Sequence, residues 1–105
     1  MKKVMVSGCY DLLHGGHVVF FETAAQYGQL YVCLGADDNI QLLKNHKPQF
    51  NENERLYMVQ SIQFVHEARI ASGSGYLDYE PDMVEIKPDI FIVNEDGDRP
   101  EKRDL

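Results

Sequence analysis

The sequence predicts a Rossmann-like α/β fold, a single domain with an open parallel sheet and helices on both faces. Three observations predict it. Short β-branched runs alternate with stretches whose apolar residues recur at helical spacing. The links between them are short. The first run stops at Gly8, just before a segment that opens a helix, and open parallel sheets take their ligands at that junction.

In order, Val4-Met5-Val6-Ser7 reads as a buried parallel strand. Residues 18–27 read as a helix, with Gly28 as its C-cap, because apolar residues fall at 18, 21 and 25 and at 20, 24 and 27. Residues 30–34 form a second strand, ended by Gly35. Asp37 or Asp38 caps a short helix ending near Lys44. Residues 45–50 are polar and contain Pro48, so they form a loop. Asn51-Glu52-Asn53-Glu54 reads as a capped, acidic first turn. Leu56, Met58, Val59, Ile62 and Val65 follow on its helix. Residues 67–71 suit a third strand, 72–75 a flexible turn, 81–86 a helix and 89–93 the clearest strand of all.

The 105 residues suffice for one domain, and 44% hydrophobic content supports one buried core. A net charge of −7 argues against a sequence-independent grip on nucleic acid. A small anionic substrate needs only a local cluster of positive groups. The two cysteines, Cys9 and Cys33, sit in or beside strands and are too few for a structural zinc site, so the chain reads as cytoplasmic with reduced thiols. The apolar run after Met1-Lys2-Lys3 is too short for a signal peptide or a membrane span.

The chemistry lies in Gly8-Cys9-Tyr10-Asp11-Leu12-Leu13-His14-Gly15-Gly16-His17. His14 and His17 are three apart, so on a first helical turn their rings face the same way. The N–H groups of that turn add positive potential. Gly16 carries no side chain, which lets a phosphate approach the backbone. Two imidazole donors and a helix N-terminus converging on one point suit developing charge on a phosphoryl oxygen. Metal binding and plain helix capping are the competing readings, although helical zinc pairs are usually four apart with a Glu between.

This segment resembles the HxGH signature of the nucleotidyltransferase superfamily. It is most similar to the cytidylyltransferases acting on glycerol phosphate, choline phosphate and ethanolamine phosphate. Glu54-Arg55-Leu56-Tyr57-Met58-Val59-Gln60-Ser61-Ile62 resembles the helix after that family's lysine-bearing loop. The resemblance implies that CTP is joined to a phosphorylated alcohol or sugar, with magnesium accompanying the triphosphate and pyrophosphate released. His14 and His17 would stabilise the transition state, and Lys44, or Lys47 beside it, would bind phosphate. Gly8, Cys9, Tyr10, Asp11, Gly16 and Arg55 would line the nucleotide site. Asp11 would hold its loop or a magnesium water shell; an Asx-type turn is the plainer reading. Arg55 would serve the site or a subunit contact; a surface pair with an acid is the plainer reading. Asn94, Glu95 and Asp96 would meet the base.

The resemblance also implies a homodimer, with Tyr57, Ile62 and Phe64 as apolar contact candidates; filling the monomer's core is the commoner fate of such a helical stripe. The sequence departs from the family at His46, where a second lysine is usual, and at Gln63, where an arginine is usual. The family's Arg-x-x-Gly-Ile-Ser-Thr-Thr element does not occur before Leu105. Residues 1–96 therefore read as the nucleotide-binding domain, and the charged stretch 97–105 as the start of a further part. Two rival readings stand: an adenylyltransferase of the same superfamily, of the kind that makes FAD, and a nucleotide-binding module without turnover.

Overall fold

The computed structural model describes residues 2–92. Its elements are β1 (Lys3–Gly8), α1 (Gly15–Ala25), β2 (Gln29–Leu34), α2 (Asp37–Lys44), α3 (Glu52–Gln60), β3 (Glu67–Ile70), α4 (Glu80–Ile86) and β4 (Ile90–Phe91). The strands make one parallel sheet in the order β3-β2-β1-β4. Val4 pairs with Leu30 on one side and Ile90 on the other, which fixes the register of the three strands.

Alternation along the strands sends side chains to two faces. Val4, Val6, Leu30, Val32 and Leu34 pack against Phe21 and Ala24 of α1 and Val59 of α3. Met5 and Cys33 point the other way, toward Tyr79 and Ile86 at α4. Helices thus cover both faces, as the near-continuous apolar strands require. The chain adds β2 and β3 on one side of β1 and then places β4 on the other side. That reversal makes the carboxyl ends of β1 and β4 the topological switch point, where such sheets open a crevice.

Several expected boundaries move, each for a local reason. Helix α1 starts at Gly15 rather than near residue 18, because His14 caps it. It ends with Gln26 as C-cap rather than Gly28. Gly28 is needed for another reason: at φ +156°, a Cβ there would sit 2.4 Å from the Lys2 carbonyl oxygen. That oxygen accepts the N–H of Gln29 at 2.9 Å and starts the β1–β2 pairing. Ala36 occupies the N-cap position of α2, with Asp37 already helical. Helix α3 ends at Gln60, so Ile62 and Val65 lie in the turns beyond it, still packed on the core. Strand β4 is the shortest among the described residues, since at the sheet edge it pairs only with Val4 and Met5. No helix among the described residues is long and apolar enough to cross a membrane.

Candidate active site

The two histidines meet at the switch point. Their ring centroids are 4.1 Å apart. His14 is the N-cap residue of α1, and its Nδ1 accepts the Gly16 N–H at 3.0 Å. His17, at the third helical position, returns the contact: its Nδ1 accepts the His14 N–H at 3.1 Å. This is a capping box built from two imidazoles. Capping and phosphate chemistry are therefore compatible rather than rival uses of the pair. With both Nδ1 atoms accepting, the neutral rings carry their protons on Nε2. Each ring keeps a donor on the edge away from the backbone it caps. The space freed at Gly16 belongs to His14 itself, because a Cβ there would lie 2.8 Å from the His14 Cε1. Gly15 has open space at the same place, so it offers the freer approach to the backbone.

Tyr10 lies beneath the pair. It is buried, with a left-handed backbone at φ +50°. Its ring stands edge-on to His17 at 5.6 Å and to Phe21 at 5.2 Å. Gly8 makes room for it, since a Cβ at Gly8 would lie 2.9 Å from the Tyr10 Cζ.

Two side chains tie the surrounding loops together. Asp11 accepts the N–H of Gln49 at 2.8 Å through Oδ2 and of Phe50 at 2.9 Å through Oδ1. It thus clips the loop after α2 to the loop after β1. Arg55 is buried in α3 and donates to the carbonyls of Phe50 (3.0 Å), Cys9 (2.8 Å) and Gly35 (2.7 Å). Its remaining bond is a 2.7 Å ion pair with Asp37. The ends of β1 and β2, helix α2 and the loop before α3 are thereby fixed to one guanidinium, whose planar fork suits divergent acceptors. The acid it pairs with is a neighbour in space, but the pair is largely buried, not on the surface.

The remaining candidates are placed as follows. Cys9 offers its carbonyl to Arg55. Lys44 is the exposed last residue of α2, and Lys47 is exposed in the loop that Asp11 clips. Asn94, Glu95 and Asp96 lie outside the described residues. Sequence reasoning missed Asp37 as the partner of Arg55. It also missed Asn39, a buried polar residue of α2 that grips the loop after β3. Asn39 accepts the Gly75 N–H at 2.7 Å and donates to the Asp78 carboxylate at 3.1 Å. The available signal was an Asn beside Ile40, at the buried side of an amphipathic helix.

Burial pushes the Tyr10 hydroxyl and the Cys33 thiol well above their ordinary ranges, and the nearby Asp82 carboxylate pushes Cys33 further. Both groups hold their protons more tightly in the folded chain. The stability this contributes is fully present below the unfolded values, ~8.5 for a thiol and ~10 for a phenol, and is lost as pH rises past them. Urea melts should therefore show stability falling between about pH 8 and pH 11. A flat profile over that window would contradict the burial of both groups.

The cytidylyltransferase-like family matches residues 5–102 of the sequence. This chain belongs to the cytidylyltransferase-like family. It is 37% identical over 94 residues to the FAD synthase of Methanolacinia petrolearia, covering 89% of this chain and 60% of that protein. With the FAD synthase of Aciduliprofundum boonei it shares 35% identity over 103 residues, 97% of this chain and 66% of that one. This cytidylyltransferase-like chain thus spans roughly 60–66% of the length of these two relatives. Its fold matches the lipopolysaccharide core biosynthesis protein of Thermoplasma volcanium GSS1 with a TM-score of 0.83 and 28% identity, over 98% of this chain and 82% of that one.

Proposed function

We propose that this cytidylyltransferase-like domain transfers an adenylyl group from ATP to the phosphate of a flavin mononucleotide, forming FAD and releasing pyrophosphate. The observation that carries this reading is the 35–37% identity to FAD synthases over 89–97% of the chain. It favours adenylyl transfer over the CTP and phosphoalcohol chemistry expected from the motif alone. In the reaction, an oxygen of the acceptor phosphate attacks the α-phosphorus in line. The new P–O bond forms as the bond to the bridging oxygen of the β-phosphate breaks, and pyrophosphate leaves with those electrons.

The protein supplies alignment and charge stabilisation. The Nε2–H groups of His14 and His17 are fixed by bonds at the opposite edge of each ring, so little reorganisation is needed when charge develops. Lys44, at the end of α2, and Lys47, in the clipped loop, are assigned to the phosphates. Asn94 and Asp96, which follow β4 in the chain, are assigned to the base. Among the described residues no three His, Cys, Asp or Glu side chains are grouped to hold a metal ion. Both Asp11 oxygens accept backbone N–H groups. We take magnesium to accompany the nucleotide triphosphate as part of the substrate. The unpaired thiols of Cys9 and Cys33 suit a reducing cytoplasm.

A ligand that binds only the folded state stabilises it by mass action. Magnesium ATP should therefore raise the melting temperature more than magnesium CTP does. A larger shift with CTP would return the assignment to cytidylyl transfer.

The homodimer takes a revised form. Ile62 and Phe64 are partly buried against the core, which leaves less of their surface for it. Phe50, Tyr57 and Met58 are exposed instead, around a cavity of about 580 Å³ between α3 and the loop after β1, and Leu12 is exposed in that loop. An apolar patch of this kind marks a contact surface, and we propose a second copy of the chain as its cover. Light scattering at micromolar concentration should give twice the 12.1 kDa chain mass. The chain mass itself would rule the dimer out.

A further inference from the structure

We propose that Tyr10 is a positioning residue for the transfer site, its ring setting the orientation of the His17 imidazole. The inference rests on the reading of His17 as a phosphate-facing donor. Three independent observations carry it.

The first is backbone strain. Tyr10 has φ +50°, a region that a bulky side chain rarely enters. Such conformations persist where the surroundings over-determine them, and they concentrate at functional sites. The left-handed turn carries the ring inward beneath α1, next to His17.

The second is the buried hydroxyl. The Tyr10 Oη has no hydrogen-bond partner among the described residues. An unsatisfied buried hydroxyl opposes folding. No hydrogen bond of the hydroxyl holds the residue in place, so the packing of the ring is the contact that acts on His17.

The third is the packing on His17. The Tyr10 ring lies 5.6 Å away and at 84° to the imidazole, an edge contact that resists rotation of the ring about its own bond. The His14 ring stands on His17 as well, at 4.1 Å and 39°. The Nδ1 bond to the His14 N–H fixes one edge. Tyr10 adds a second ring contact to the His14 ring and the Nδ1 bond, and so favours one of the two ring flips. Gly8 belongs to the same device, because any side chain there would displace Tyr10.

The test reads His17 directly by long-range 1H–15N NMR on the whole 105-residue chain. Wild type should show a single Nε2–H tautomer for neutral His17 and a cross-relaxation peak between the Tyr10 and His17 rings. Y10F should keep the His17 signals and melt at a higher temperature. Y10L should give mixed His17 tautomers. Val59→Ala, which weakens the same core away from the pair, should leave the His17 signals unchanged. A folded Y10L with wild-type His17 signals would overturn the proposal. So would a Y10F whose His17 signals change as those of Y10L do. If Y10L does not fold, the wild-type cross-peak decides, and its absence overturns the proposal. None of these signals requires turnover, so they stand apart from the identity of the nucleotide and acceptor. Where turnover is measured, Y10L should lower kcat ~10–100-fold with KM little changed, the signature of misplaced rather than lost binding groups.

Discussion

Replacing Arg55 with Met is expected to destabilise the fold by ~3 kcal/mol, the largest stability loss of any single substitution in the site. The substitution keeps the stem and removes the guanidinium. Three carbonyls, those of Cys9, Gly35 and Phe50, then lose a donor, and Asp37 loses its counter-charge. Removing one partner of a buried ion pair typically costs ~3–5 kcal/mol. The lower end applies here, because the Asp37 side chain is 32% exposed and water can take over part of its solvation. For a domain of this size the melting temperature should fall by more than ~12 °C. Arg55→Lys should recover only part of this, since one ammonium with three donors cannot span acceptors on three loops. A loss of Arg55→Met below ~0.5 kcal/mol would show that the clamp is incidental.

The second large effect is on catalysis. His17→Ala should lower turnover by ~10²–10³-fold, the range for losing one transition-state donor. His14→Ala should do the same and also lose the N-cap of α1, worth ~1 kcal/mol. His14→Asn separates the two roles. Asparagine caps helices well, so stability should return toward wild type. It does not place an imidazole Nε2–H at the phosphate, so turnover should stay low. Urea melts read the first effect and kcat the second. Wild-type turnover in His17→Ala would contradict the proposed chemistry.

The sequence revealed the layer order, both faces of the sheet and the histidine pair, because each depends on local spacing. Strand alternation and the three-residue step between His14 and His17 survive in any tertiary context. The clamp was not legible. Arg55 reaches its partners across 18, 20 and 46 residues, and nothing near it in the chain announces them. The start of α1 was hidden because Gly15-Gly16 looks like loop, although Gly16 is helical and small only to admit the His14 ring. Tyr10 was legible as a residue of the motif, but its packing beneath His17 was not, because its left-handed backbone is unusual for a tyrosine. The apolar stripe through Ile62 and Phe64 suits either a partner surface or the monomer's core. Beyond the end of α3 the chain turns these residues back onto the core, and only Tyr57 of the three stays exposed.

The most direct measurement of the central claim is the transfer itself. The chain is incubated with magnesium ATP and flavin mononucleotide, and separately with magnesium CTP and glycerol phosphate. Products are separated by mass, and pyrophosphate is followed in parallel. FAD and pyrophosphate, forming together from the first mixture and lost in His17→Ala, are the predicted result. Nucleotide binding without any pyrophosphate release, or product from the CTP mixture alone, would contradict it.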